Sequence, residues 1–276
     1  MKLSEMKLTV ELKGKQQHIM SAQGDRQYEF TMWHGFDPEK TYLATADVAE
    51  GTGGDSSVLY VWDVTNLSNI TMCAKFSADN VSTIEFAFIT DRILQLYNKP
   101  WLACESNGIG AGYLDSLRIT YNYENIVREG KDNKYGITSH VQVKGRACLW
   151  LREMFTTQGI GWTIYDKDLI DEMGTFVKKD SKMHMVYNAV MGSHDDHMMA
   201  LCWAAWILNP EIVETYFIVT EVFKSTLEKI LPKMLAPLDE YTTQDLKKIS
   251  NDPLHIEFVE FKNEMLKKLN IALEHA

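Results

Sequence analysis

Acidic residues that could hold metal ions lie at the edges of three apolar segments of the 276-residue chain. Asp47 ends the first segment, Glu105 ends the second, and the pair Asp195-Asp196 precedes the third. Carboxylates that converge repel one another and take up protons unless a divalent cation joins them. All-oxygen ligands favour Mg²⁺ or Mn²⁺, and two such ions can stabilise the attacking and leaving oxygens of a phosphodiester displacement. Convergence of these acids would therefore indicate metal-dependent phosphodiester hydrolysis.

A structural role also explains each acid taken by itself. Asp47 can accept hydrogen bonds from backbone amides of the turn 51–54, and Glu105 can cap the helix that follows it. The acidic pair suits the first turn of a helix with Ser193 as its N-cap, because the helix dipole favours acids there. Proximity decides between caps and a metal site, because shared ions bridge only carboxylates within about 8 Å of one another.

The segments that must position these acids have the pattern of a sheet with a helical crossover. Short polar connections predict three consecutive antiparallel strands, at 42–49, 56–64 and 70–77. Apolar residues at helical spacing predict a helix over 81–97, and the apolar run 101–105 is expected to join the sheet in parallel after it. Asp47 and Glu105 then lie at the same end of the sheet. The glycines that open the next helix, 108–117, would allow the backbone to approach a phosphate or a metal closely.

Further elements are predicted along the rest of the chain. Helices are expected at 145–158, 168–176 and 192–206, and strands at 159–164 and 183–187. The segment 192–206 is almost wholly apolar after its acidic first turn, which is typical of a helix in a core. His194 and His197 in that turn could be ligands, but a histidine in the first turn of a helix is more often solvated, and that is the expectation here. The polar segment 119–143 is expected to be loop-rich, with a short strand near 125–127.

These patterns predict an α/β fold in three parts. Residues 1–40 form a lead-in that packs on the main sheet, with a hairpin between 7–13 and 27–33. Residues 41–209 form the main domain, a central mixed sheet flanked by helices. Residues 210–276 are rich in Glu and Lys and broken by prolines, which predicts an appendage of short amphipathic helices.

The length of the apolar runs, the cysteines and the net charge limit the classes of protein to which the chain can belong. Apolar runs are too short to span a bilayer and the first residues lack the core of a signal peptide, so we expect a soluble protein made in a cytoplasm. The cysteines are widely spaced and in apolar contexts, which predicts buried thiols: Cys73, Cys104, Cys148 and Cys202. The net charge of −10 counts weakly against a nucleic-acid partner.

A local basic strip is nevertheless compatible with this charge. Lys144 and Arg146 are expected to begin a helix, where cations oppose the dipole and a ligand role is favoured over helix support. We predict that they guide a DNA strand across the acidic cluster. Arg152, Lys131 and Lys134 are weaker candidates for the same strip, and an ordinary solvated surface remains the alternative.

Three motifs together resemble a known family: Asp47-x-x-Glu50-Gly51-x-Gly53-x-Asp55, Glu105-Ser106-Asn107-Gly108-x-Gly110, and Gly192-Ser193-His194-Asp195-Asp196-x-x-x-Ala200-Leu201. Their order and spacing are similar to those of the acidic motifs in the nuclease domain of large terminase subunits from tailed bacteriophages. The likeness is greatest to the T4-like terminases, in which the second acid is a glutamate. It covers about residues 42–208.

This resemblance implies an RNase H-like fold and metal-dependent endonuclease cleavage of concatemeric viral DNA during packaging. Carried over by position, it implies that Asp47, Glu105 and Asp196 hold Mg²⁺ or Mn²⁺, as two ions, and are the catalytic acids. Asp195 and Asp55 would be auxiliary ligands. The implied setting is the cytoplasm of an infected bacterial host, with double-stranded DNA, a portal and a small terminase subunit as partners and no membrane.

One departure separates the chain from full-length members of that family. They carry an ATPase domain before the nuclease, whereas no G-x-x-x-x-G-K-[ST] motif occurs here. An excised nuclease domain or a separate motor chain would explain this. Two other functions remain open: another RNase H-like nuclease of the resolvase or transposase type, and a non-catalytic interaction module whose acids are structural caps.

Overall fold

The computed structural model describes residues 14–129, 134–180, 185–189 and 194–209. Its strands are β1 (Lys15–Met20), β2 (Gln27–Met32), β3 (Tyr42–Asp47), β4 (Ser57–Asp63), β5 (Ile70–Ala78), β6 (Trp101–Cys104), β7 (Arg128–Glu129), β8 (Lys134–Tyr135), β9 (Trp162–Thr163), β10 (Phe176–Asp180) and β11 (Met185–Ala189). Its α-helices are α1 (Thr83–Gln95), α2 (Ile109–Asp115), α3 (Val141–Thr156), α4 (Lys167–Thr175) and α5 (Asp196–Ile207). A 3₁₀ turn precedes β5, and a π-helical turn follows α2.

The main sheet is mixed and has the strand order β1-β2-β5-β4-β3-β6, with β9 also paired to β5. Strands β3, β4 and β5 are antiparallel neighbours, and β6 joins β3 in parallel after the α1 crossover. The predicted mixed sheet flanked by helices is therefore confirmed. β7 with β8 and β10 with β11 form two small hairpins outside it.

Helices cover both faces of this sheet. One face packs against α1 and α2 through alternate strand residues such as Ala44, Ala46 and Leu59. Because side chains alternate along a strand, Thr45 and Tyr60 point to the opposite face. That face carries α5, which packs on β3 and β4, and α3 packs on α5 in turn.

Helix α5 is buried along almost its whole length, as its apolar sequence predicts. Every residue from Met198 to Ala205 lies in the core. Helix α3 was expected at 145–158 but begins at Val141, because the side chain of His140 accepts the N–H of Val143 at 3.4 Å and caps the helix. Lys144 therefore lies in the first turn and Arg146 in the second.

The lead-in packs on the main sheet, but its hairpin differs from the prediction. Strand β2 pairs with β1 at Lys15–Met20, a polar and largely exposed strand whose composition gives no strong signal, and β2 then pairs with β5. The expected strand at 7–13 and the appendage 210–276 lie outside the described residues. Among the described residues, no helix is both long and apolar enough to cross a membrane.

Candidate metal centre

Strand pairing brings the first two acids to the same end of the sheet. Ala46 on β3 is the parallel partner of Cys104 on β6, and each is followed directly by an acid, Asp47 and Glu105. Ala46 and Cys104 belong to the core on the α1 side. Asp47 and Glu105 therefore face the side that carries α3 and α5.

The third acid reaches this end of the sheet from the start of α5. The backbone N–H of Ser56 donates to Asp196 Oδ2 at 2.7 Å. Ser56 immediately precedes β4, whose residue Val58 pairs with Asp47 across the sheet. Asp196 is thus held beside the end of β3, although it is only 7% exposed. Asp195 is the N-cap residue of α5.

The electrostatics show that these carboxylates interact and are poorly compensated. The pKa of Asp47 is raised well above its ordinary value by burial first, then by Asp196, and further by Glu105 and Asp195. Burial raises the pKa of Asp196 to about 6, although the hydrogen bond from Ser56 acts in the opposite direction. Carboxylates that serve only as helix caps have their charge stabilised, which lowers their pKa, so the raised pKa values of Asp47 and Asp196 are not typical of caps.

One lysine from α3 partly offsets the negative charge. Lys144 Nζ lies 3.1 Å from Glu105 Oε2, and the ammonium also lowers the pKa of Asp47. The Lys144 side chain is 45% exposed, so it reaches the acids from the solvent side. Arg146 is exposed, and Arg152 forms an ion pair with Glu153 at 3.0 Å. Lys134 is exposed, and Lys131 lies outside the described residues.

The turn between β3 and β4 adds an exposed edge to the site. Asp55 Oδ1 lies 3.3 Å from His194 Nδ1. Ligand atoms of Asp55, His194 and Asp196 lie within 4.8 Å of one another, which is close enough for one ion. The turn needs glycine at Gly51, because a Cβ there would meet the carbonyl oxygen of Val81 at 2.2 Å.

One glycine of the second motif is required by the packing of the backbone, whereas the predicted approach of a phosphate or a metal to these glycines stays a prediction. A Cβ on Gly110 would meet the carbonyl oxygen of Glu105 at 2.0 Å. The glycine therefore lets α2 start directly against the end of β6. The first turn of α2 can therefore pack against the carbonyl oxygen of Glu105, and this contact holds the backbone that carries the Glu105 side chain.

One residue that orients α5, Glu172, was missed by the sequence analysis. Glu172 on α4 accepts the backbone N–H of Met198 at 2.9 Å, and its other oxygen lies 2.7 Å from His197 Nδ1. His197 is 6% exposed, so the expectation that it is solvated is wrong. Glu172 lies on a short amphipathic helix, where an acid is typical of a solvated face, so the sequence contains no signal for its role.

The sequence matches none of the protein-family models with which it was compared. Among solved structures, the chain is similar to the magnesium-bound large terminase nuclease of the thermophilic phage G20c, with 16% identity and a TM-score of 0.56 over 74% of this chain and 93% of that one. It is also similar to the large terminase nuclease domain of Thermus phage P74-26, with 18% identity and a TM-score of 0.50 over 63% of this chain and 83% of that one. The chain therefore has the fold of a large terminase nuclease domain, the RNase H-like fold that the resemblance implied.

Proposed function

We propose that the chain is a divalent-metal-dependent endonuclease that cuts double-stranded, concatemeric DNA as the nuclease of a viral genome-packaging terminase. The observation that carries this proposal is the placement of Asp47, Glu105 and Asp196 at one end of the sheet, by the pairing of β3 with β6 and by the hydrogen bond from Ser56 to Asp196. The fold adds support, because the similar solved structures are described as large terminase nucleases, one of them with bound magnesium.

The residues at this site fit a hard divalent cation. Asp47, Glu105 and Asp196 would hold it, with Asp195 and Asp55 as auxiliary ligands. Their donor atoms are all oxygens, which favours Mg²⁺ or Mn²⁺. Bound ions, two in our proposal, would polarise the phosphodiester and make a bound water more acidic. Burial is the largest cause of the raised pKa values of Asp47 and Asp196, and neighbouring carboxylates add to it; a bound cation would offset both.

The chain's own cations would position the DNA. Lys144 lies at the solvent side of the acids, and Arg146 is exposed on the next turn of α3. We infer that both contact phosphates of the strand to be cut, because a substrate with one charge per nucleotide must be brought to a site of like charge. Helix α3 holds both residues on one rigid element, with the ammonium of Lys144 beside Glu105.

The remaining partners belong to the same proposal. We infer that the nuclease works with an ATPase motor, a portal and a small terminase subunit in the cytoplasm of an infected bacterium. A resolvase or transposase would share the acids but would cut branched or specific DNA. A non-catalytic interaction module would cut nothing.

A plasmid-cleavage assay tests the proposal. The full chain should nick and linearise supercoiled plasmid with Mg²⁺ or Mn²⁺, and EDTA should abolish this. Asp47→Asn should be inactive, whereas the control Asp115→Asn, an exposed acid on α2 at the other face of the sheet, should cut at the wild-type rate. Cleavage by a folded Asp47→Asn variant would contradict the assignment. Cleavage restricted to branched substrates would favour the resolvase class.

A further inference from the structure

A second group of charged residues lies between α4, α5 and the sheet, apart from the candidate metal centre. We call it the α4 cluster and define it as Lys75, Asp166, Asp168, Glu172 and His197. Lys75 Nζ lies 2.7 Å from Asp166 Oδ1 and 2.6 Å from Asp168 Oδ2. The side chains of Lys75, Asp166, Glu172 and His197 are each at most 12% exposed, and only Asp168 reaches solvent. The cluster is thus a largely buried ionic site.

The charges of the α4 cluster do not balance. Its three carboxylates face one ammonium, that of Lys75. With a neutral imidazole on His197, the net charge is −2, which is the charge that one divalent cation neutralises. The neighbouring Tyr60 donates a hydrogen bond to Asp166 and brings no charge of its own to the cluster.

His197 provides an unused ligand atom in this cluster. Its Nδ1 lies 2.7 Å from Glu172 Oε1 and donates to it, which leaves Nε2 pointing towards Asp166. Nε2 is buried and has no hydrogen-bond partner among the described residues. The distance of 4.0 Å to Asp166 Oδ2 is too long for a hydrogen bond. Metal-binding histidines typically donate their second nitrogen to a carboxylate in this way, which fixes the tautomer.

We propose that the α4 cluster binds a transition-metal dication such as Zn²⁺, through Asp166, Asp168 and His197. The ligand atoms of these three residues lie within 4.8 Å of one another. A mixed set of imidazole nitrogen and carboxylate oxygen suits Zn²⁺ and Co²⁺, whereas Mg²⁺ prefers oxygen alone. The ammonium of Lys75 competes with a metal ion for the carboxylates of Asp166 and Asp168. An ion that also binds the imidazole nitrogen of His197 strongly is therefore favoured over one that binds oxygen alone.

The bound ion would tie α4 to the first turn of α5. Asp166 is the N-cap of α4, and His197 directly follows Asp196 of the candidate metal centre. The inference does not depend on the proposed nuclease function, because its ligands are different residues and bind a different class of ion.

The test is a Zn²⁺ titration of the full chain, followed by calorimetry, with His194→Ala in every sample. This change leaves only oxygen ligands at the candidate metal centre, which excess Mg²⁺ then occupies. We expect one Zn²⁺ per chain. Asp168→Asn, which changes an exposed side chain and should fold normally, should weaken binding about tenfold or more. The matched control is Asp171→Asn, an exposed acid on the same helix that pairs with Lys167 and should bind Zn²⁺ as the wild type does.

Two further measurements make the result decisive. Co²⁺ in place of Zn²⁺ should give visible absorption that His197→Gln removes, because the imidazole nitrogen would be a ligand. Asp47→Asn should keep the Zn²⁺ site while it loses cleavage. Absence of Zn²⁺ binding in excess Mg²⁺, or equal binding by the Asp168 and Asp171 variants, would overturn the inference. Loss of Zn²⁺ in Asp47→Asn would do the same, because it would place the ion at the candidate metal centre.

Discussion

Removing the charge of Asp196 should stabilise the metal-free chain at neutral pH. Asp196 is only 7% exposed, and its pKa is raised from 3.8 to about 6, with burial as the largest cause. Because one pKa unit corresponds to about 1.4 kcal/mol and solvent screens part of the charge, the ionised carboxylate costs the folded state about 1 to 3 kcal/mol at neutral pH. Asp196→Asn removes this cost and keeps an oxygen that can accept the Ser56 N–H. We expect a gain of about 1 to 3 kcal/mol in the free energy of unfolding.

The sign of the pH dependence follows from linkage. The folded-state pKa of Asp196 is higher than the unfolded one, so the protonated form favours folding. The stability that it contributes is fully present below pH 3.8 and is lost as the pH rises through about 6. The wild type and Asp196→Asn should therefore be equally stable at about pH 4 and should differ most above about pH 7.

The measurement is urea denaturation in EDTA, followed by tryptophan fluorescence, with Asp115→Asn as control. An unchanged m-value would show that the denatured state is unaffected, and the exposed control should stay within about 0.5 kcal/mol of wild type. Mg²⁺ at about 100 times its Kd should raise the free energy of unfolding of the wild type, but not of Asp196→Asn, by roughly 2.7 kcal/mol. The difference in stability between the two proteins should then disappear. A variant less stable than the wild type at neutral pH in EDTA would refute the idea that Asp196 is uncompensated.

Three other outcomes are expected. The double variant Lys144→Ala, Arg146→Ala should bind DNA more weakly than the wild type, and its affinity should depend less on salt, as fluorescence anisotropy can measure. The control Arg152→Ala should bind DNA as the wild type does. An unchanged salt dependence in the double variant would place the DNA path elsewhere. Millimolar Mg²⁺ should raise the melting temperature of the wild type but not of Asp47→Asn, as scanning calorimetry can show. Glu172→Ala should destabilise the chain by about 1 to 3 kcal/mol, because it leaves a buried α5 N–H without its acceptor; urea denaturation would contradict this if stability were unchanged.

The positions of Asp47 and Glu105 were predictable because each follows an apolar strand. Antiparallel pairing of the first three strands followed from their short connections, and parallel pairing of β6 followed from the helical crossover. These two inferences place both acids at one end of the sheet, as the register confirms. The residue pattern alone could not separate Asp195 from Asp196, because both lie in the same turn; only the resemblance implied Asp196 as the principal ligand and Asp195 as auxiliary. The hydrogen bond from Ser56 to Asp196 distinguishes them, and it joins residues 140 positions apart.

The position of β1 and the start of α3 were predicted wrongly, because neither is marked by a strong local sequence pattern. β1 is a mostly exposed strand that pairs with the rest of the sheet only through β2, and its residues lack the alternation that would mark it. The start of α3 was placed four residues late because His140 is not among the strongly preferred capping residues. Its ring nitrogen nevertheless accepts the N–H of Val143.

The contrast between His194 and His197 shows why the α4 cluster could not be predicted at all. Both histidines flank the acidic pair and precede the same apolar helix, so the motif gives them equal status. The rotation of α5 about its axis determines which histidine is exposed and which is buried. Helix α4 sets that rotation, because Glu172 binds both His197 and the N–H of Met198. His194 is left 57% exposed beside Asp55, whereas His197 turns inward to the Tyr60 ring. A strand end fixes both the position and the direction of its acid, whereas a residue at a helix start acquires its direction only from the elements packed around it.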